Sequence, residues 1–202
     1  MAMLISLSLF SHLTSPRRYV SHPPPHTPTV NPAAVDELVA AGAQSASTPA
    51  ELVSKVGDGG VVVTMLPSNP HVISVYCGAD GILETLTPGT LCIDSSTITP
   101  GTSSEVDVAV RAKSGRFIDA PVSGGVGGAE SGGLTFMVGG SNEDVAAATP
   151  YLDKMGTTIH HCGGVGAGEA AKICNNMVLG VSMAAVSEAM NLGDKLGIDA
   201  KV

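Results

Sequence analysis

Aromatic residues are scarce in this 202-residue chain: three Tyr, three Phe and no Trp. Without aromatic platforms it is poorly equipped to stack bases, which argues against single-stranded nucleic acid as its ligand. Basic residues are few as well, ten Lys and Arg against eighteen Asp and Glu, for a formal net charge of −8. A chain so charged has no cationic footprint for a phosphate backbone. Uninterrupted apolar runs of the ~18 residues that a membrane helix needs are missing too. The four cysteines, Cys77, Cys92, Cys162 and Cys174, include no C-x-x-C pair. Neither a zinc site nor a disulfide framework is expected from that spacing, and the thiols read as reduced and buried. What is plentiful is aliphatic: 44% of residues are hydrophobic and 25 are Gly. That composition suits a layered α/β core.

The first 35 residues lack a further element, negative charge, since the first acidic residue is Asp36. A short apolar run, Met3 to Phe10, is followed by Arg17 and Arg18 and then by Ser21-His22-Pro23-Pro24-Pro25-His26. The prolines exclude a helix or a central strand. An acid-poor, Ser-rich, Arg-containing segment fits a mitochondrial presequence. A secretory signal is the rival reading, although its charge should precede the apolar run, and a disordered tail is the third. Residues 1–28 are therefore set apart from the fold as a disordered or presequence-like tail.

From Thr29 onward strands alternate with helices. Asn31-Pro32 opens a helix over 33–41 and Thr48-Pro49 a second over 50–56, each with Pro at the first turn. Val61–Leu66 is a β-branched run without polar alternation, the mark of a strand covered on both faces. A helix near 70–76 follows, then a second buried strand, Leu91–Asp94. Thr99-Pro100 caps a helix reaching about Lys113. Arg116–Asp119, Leu134–Val138 and Thr158–His161 are further strands, and Ser141 starts a helix to about Leu152. Gly166 to Leu196 is one long helix. Alternation of this kind implies an α/β fold with βαβ units and a largely parallel sheet.

Parallel sheets bind ligands beyond the carboxyl ends of their strands. Three strands there deliver Leu66-Pro67-Ser68, Ser95-Ser96-Thr97 and Ala120-Pro121-Val122-Ser123-Gly124-Gly125. The Ser-Gly-Gly turn can cradle a carboxylate or phosphate with backbone N–H groups, because Gly permits close approach. Ordinary turn chemistry is the favoured account of any one of these segments taken alone. On the long helix Lys172 and Asn176 lie four apart and share a face. Lys172 stands in a run of Gly, Ala and Met, where desolvation turns an ammonium into a usable proton donor or acceptor. A snorkelling surface lysine is the alternative. The Asn175-Asn176 pair, poor for helix stability, favours function.

Asp119-Ala-Pro-Val-Ser123-Gly124-Gly125, then Gly168-Glu-Ala-Ala-Lys172-Ile-Cys-Asn175-Asn176, resembles the β-hydroxyacid dehydrogenases. Thr64-Met-Leu-Pro67, Ile93-Asp-Ser-Ser-Thr97 and Leu134-Thr-Phe-Met-Val-Gly-Gly140 agree in order and spacing, so the resemblance covers residues 30–202. It implies a Rossmann-type, doubly wound domain followed by a long helix. The implied activity is NAD-dependent oxidation of a small 3-hydroxy acid, of the kind handled in mitochondrial valine catabolism, to its semialdehyde. By the same resemblance Lys172 is the general acid/base, and Ser96, Ser123, Gly124, Gly125 and Asn176 contact substrate. Leu66, Pro67 and Thr97 contact the cofactor NAD. No metal is implied, nor any nucleic-acid or membrane partner. Reductases of tartronate semialdehyde or glyoxylate share the motifs and remain alternatives.

Two departures stand out. Family members begin with strand–GxGxxG–helix, which holds the dinucleotide diphosphate at a helix N-terminus, and no G-x-G-x-x-G occurs in this sequence. His71 stands where many relatives carry Asn. The expected organisation is thus a partial NAD-binding domain over 29–163 and an interdomain helix over 164–202, cut at both ends relative to the family. Loss of the first strand should leave Val61–Leu66 and Leu91–Asp94 without the strands between them. The Met177, Val178, Met183 and Met190 side of the long helix should be an exposed apolar stripe. An inactive isoform, or a fragment pairing with full-length subunits or with itself, is the non-enzymatic alternative.

Overall fold

The computed structural model of the chain describes residues 3–7, 18–21, 36, 39–40 and 43–201. Among the described residues nine strands form one sheet: β1 (Met3–Leu7), β2 (Arg18–Ser21), β3 (Gln44–Ala46), β4 (Val61–Met65), β5 (Leu91–Asp94), β6 (Arg116–Asp119), β7 (Val122–Ser123), β8 (Leu134–Gly139) and β9 (Gly156–Gly163). The helices given labels are α1 (Pro49–Val56), α2 (Asn69–Cys77), α3 (Ile82–Thr85), α4 (Pro100–Ala112), α5 (Gly125–Glu130), α6 (Asn142–Leu152) and α7 (Ala167–Lys195). The order across the sheet is β3-β2-β1-β4-β5-β6-β8-β7, with β9 also paired to β8.

Local chemistry sets the helix starts. Thr48 accepts from Glu51 N–H, Thr99 from Thr102 N–H and Ser141 from Asp144 N–H, each satisfying an amide that the first helical turn leaves open. Pro49 and Pro100 follow the first two caps, where a missing N–H costs nothing. The helix expected over 33–41 lies largely outside the described residues, of which Asp36, Val39 and Ala40 are helical.

β4, β5 and β6 run parallel and in register, with Val62 opposite Cys92 and Cys92 opposite Phe117. Alternate positions therefore point to opposite faces. Val62, Cys92 and Phe117 pack with Leu52, Val72 and Tyr76 on one side. Val61, Val63, Ile93 and Ile118 pack with Phe136, Val138 and Leu152 on the other. This double coverage explains the unbroken apolar runs. β8 and β9 are also parallel, joined by α6, whereas β8 runs antiparallel to β6 and β7. The short Gly-rich segment between β6 and β8 reverses the chain instead of crossing over the sheet.

Two expectations are corrected here. β4 lies directly beside β5, so no strand is missing between them, and β4 pairs on its other side antiparallel with β1. Residues 1–28 are not wholly apart from the fold, because β1 and β2 within them pair in the sheet. The physical reason is shared: β4 has main-chain donors and acceptors on its free side, and β1 satisfies them. The thiols also differ from expectation. Cys92 alone is buried, while Cys77, Cys162 and Cys174 are exposed.

α7 is held only at its start. Gly168 presses against β8 so closely that an added Cβ would collide with the Met137 carbonyl and lie 2.8 Å from Asp119 Oδ2. Beyond Ile173 the helix is exposed, including Met177, Val178, Met183 and Met190. α7 is the one helix among the described residues long and apolar enough, by length and composition, to cross a membrane, although charged residues interrupt its sequence.

Candidate active site

The carboxyl ends of β4, β5 and β6 carry a buried polar line that the sequence motifs only partly announce. Tyr76 Oη lies 3.0 Å from Thr64 Oγ1, which donates to Asp94 Oδ1 at 2.6 Å. Ser96 Oγ also donates to Asp94 Oδ1 at 2.6 Å and accepts from Leu66 N–H at 2.8 Å. Ser96 thereby ties the loop after β4 to the loop after β5. A second tie joins Asn69 Oδ1 to Thr99 N–H at 3.1 Å.

Asp119 sits beside Asp94 in register on β6 and is fully buried. Its Oδ1 accepts from Gly166 N–H at 2.7 Å and its Oδ2 from Glu169 N–H at 3.0 Å. A carboxylate at these amides complements the positive end of α7 and fixes where the helix leaves the sheet. The result is placement: Lys172, one turn further along, reaches across to β7 and donates from Nζ to Ser123 Oγ at 2.8 Å. Two residues about fifty apart in sequence meet in one hydrogen bond.

Ser123 and Lys172 are both half-buried, and Gly124 and Gly125 beside them are exposed. Gly124 has φ 140°, a conformation that side chains resist, and a Cβ there would lie 3.0 Å from Leu134 Cδ2. Gly125 opens onto free space. Burial lowers the Lys172 ammonium from its ordinary value, opposed by the Glu169 charge. An amine so placed can exchange a proton with a hydroxyl held at Ser123. Asn176 lies one turn beyond Lys172 and is exposed.

The remaining expected site residues divide. Pro67 and Thr97 are exposed on the rim, whereas Leu66 and Ser96 are buried. The Ser96 hydroxyl is taken up by Asp94 and Leu66, so it acts in the framework of these loops. His71 Nδ1 lies 2.7 Å from Ser68 Oγ.

Four buried acids went unassigned in the sequence: Asp144, which pairs with Arg111 and Arg116, and Asp94, Asp119 and Glu169, which form no ion pair among the described residues. Burial pushes Asp94 up to about 6 and Glu169 up to about 8, and also raises Asp119, against the hydrogen bonds that favour their ionised forms. Among the described residues Asp94 Oδ2 and Glu169 Oε1 have no hydrogen-bond partner. The available signal was an Asp closing each of two adjacent apolar strands.

This geometry can be set beside known proteins. Residues 26–164 match the family model described as the NAD binding domain of 6-phosphogluconate dehydrogenase. Residues 166–202 match a model described as NAD-binding of NADP-dependent 3-hydroxyisobutyrate dehydrogenase. The chain belongs to this family of NAD-binding domains. It is 56% identical over 167 residues to a probable mitochondrial 3-hydroxyisobutyrate dehydrogenase of Dictyostelium discoideum, covering 83% of this chain and 51% of the relative. Identity is 50% over 173 residues to the mitochondrial 3-hydroxyisobutyrate dehydrogenase of Mus musculus, covering 86% and 51%. Among solved structures, the Mycobacterium tuberculosis 3-hydroxyisobutyrate dehydrogenase with L-serine superposes with a TM-score of 0.76 at 43% identity, covering 84% and 56%. The chain spans about half the length of the curated relatives it matches.

The family's cofactor fits the described residues in part. Pro67 and Thr97 leave an open rim beyond β4 and β5. The glycine-rich turn from β9 into α7 gives its Gly166 and Glu169 amides to Asp119, and the G-x-G-x-x-G turn that holds the diphosphate in the family does not occur in the sequence.

Proposed function

We propose that this chain carries the proton-transfer and carboxylate-binding half of an NAD-dependent 3-hydroxy acid dehydrogenase, with 3-hydroxyisobutyrate as substrate and methylmalonate semialdehyde as product. The Lys172–Ser123 hydrogen bond carries the reading, since it joins a desolvated amine to the hydroxyl that opens a Ser-Gly-Gly turn. The substrate carboxylate is held by Ser123 Oγ and the Gly124 and Gly125 backbone. Neutral Lys172 takes the proton from the substrate hydroxyl, and Asn176 orients that hydroxyl from the next turn. NAD, when bound, is the acceptor of the hydride from the alcohol carbon. Leu66, Pro67 and Thr97 face it by analogy with the family. Serine bound to a relative of known structure favours a small hydroxy acid as the ligand class. The names of the relatives and the acid-free first 35 residues support a mitochondrial location.

A second reading, favoured by the lack of a G-x-G-x-x-G turn in the sequence, is that the chain binds the hydroxy acid without holding a dinucleotide. Calorimetric titration of the full chain with 3-hydroxyisobutyrate, then with NADH or NADPH, separates the two. Binding of both acid and NADH, with NADH formed on turnover, is expected from the first reading. Acid binding alone selects the second. A folded chain that binds neither refutes both.

A further inference from the structure

Glu169 is fully buried one turn before Lys172, on the same face of α7. Its Oε2 accepts from Ile98 N–H at 3.1 Å, and its Oε1 meets no partner among the described residues. The charged groups facing it are Asp94 at the end of β5, Asp119 at the end of β6 and Lys172 on its own helix. None of these acids forms an ion pair among the described residues. The other elements against α7 supply no closer cation. β8 has no titratable side chain, and His161 of β9 is turned to the Gly140 and Gly163 carbonyls. Cys162, also on β9, bonds the His160 carbonyl. On α4, Arg111 is engaged by Asp107 and Asp144.

A buried carboxylate with an empty oxygen and two acidic neighbours has two ways to avoid an uncompensated charge. It can keep a proton on Oε1, or it can draw the Lys172 ammonium away from Ser123. Either way, the charge of one group is tied to the charge and position of the other. We propose that Glu169 is a positioning residue acting through Lys172: while neutral it leaves Nζ on Ser123, and once ionised it holds Nζ inward as the ammonium. This rests on Lys172 being the proton-transfer group. Burial pushes the carboxyl up to about 8 and lowers the amine, which brings the two titrations closer together. The two groups then titrate as a coupled pair.

The test follows the Lys172 side-chain resonances with pH in the full-length chain labelled with ¹³C-lysine, without cofactor, assigned by their loss in K172R. Two inflections are expected in the wild type, the lower near pH 8 from Glu169. In E169Q the lower inflection should vanish while the upper persists. In D94N, with one acidic neighbour removed, it should move down by on the order of half a pH unit. A single inflection in the wild type, or an unchanged curve in E169Q, overturns the proposal. Should E169Q fail to fold, the wild-type and D94N curves decide it. Because the readout is the charge on Lys172, it stands or falls separately from turnover.

Discussion

Asp94→Asn isolates the energetic cost of the buried polar line. Asp94 is inaccessible, takes three donors on Oδ1 from Thr64 and Ser96, and leaves Oδ2 bare. Burial pushes its carboxyl from 3.8 up to about 6. An acid whose folded value exceeds its unfolded value holds its proton more tightly when folded. Its stabilising effect is therefore complete below pH 3.8, declines through the interval and is gone above about 6. The change amounts to about 3 kcal/mol. D94N cannot ionise and loses this decline. It also places an amide nitrogen where Oδ2 has no partner, a pH-independent cost of about 1–3 kcal/mol. Urea denaturation followed by circular dichroism at pH 4 and pH 7 separates the two. Relative to the wild type, the variant should gain about 2.5 kcal/mol between the lower and the higher pH, part of the effect being already lost at pH 4. A gap that stays constant, or that moves in favour of the wild type, refutes the reasoning.

Asp119→Ala removes the acceptor of the Gly166 and Glu169 amides and should cost about 2–3 kcal/mol. Amide exchange at those two positions should quicken, and unchanged exchange would contradict the capping role. Gly168→Ala should destabilise by about 2–3 kcal/mol, because the Met137 carbonyl and Asp119 must move aside. Gly180→Ala, with nothing within 4 Å, should instead gain about 0.5–1 kcal/mol. Melting shifts of the same sign for the two glycines would contradict the close seat of α7 on β8. Lys172→Ala should abolish any dehydrogenase turnover while changing stability by no more than about 1 kcal/mol, since the side chain is only half-buried. Retained NADH formation would remove Lys172 from the chemistry.

The central strands were legible because burial on both faces leaves a plain mark. Leu91–Asp94 and Arg116–Asp119 appear in the structure with the bounds their residues suggest. The capped starts at Thr99 and Ser141 were equally plain, since a hydroxyl before a helix has one local use. The antiparallel turn at β7 was not legible: two residues of strand followed by glycines look like any loop. The pairing of β1 with β4 was hidden for another reason. Proline and arginine around the apolar run Met3–Leu7 suggested a leader, and nothing local reveals a sheet edge that needs covering.

In the site, motif spacing brought Lys172 and Ser123 into view, but the agent that places them was missed. Asp119 reads in sequence as a strand residue, and only the fold shows its carboxylate on the amides of a helix that starts much later in the chain. Ser96 was visible for its position, yet its hydroxyl is spent on Asp94 and Leu66. Buried acids such as Glu169 escape a sequence reading because an isolated carboxylate on a helix usually faces water.

The most direct test of the account is a titration of the ¹⁵N-labelled full chain with 3-hydroxyisobutyrate, read by amide and lysine resonances. Shifts should centre on Ser123, Gly124, Gly125 and Lys172 and be reduced in Ser123→Ala and in Lys172→Ala. Shifts that bypass these four residues, or that persist unchanged in both variants, would contradict it.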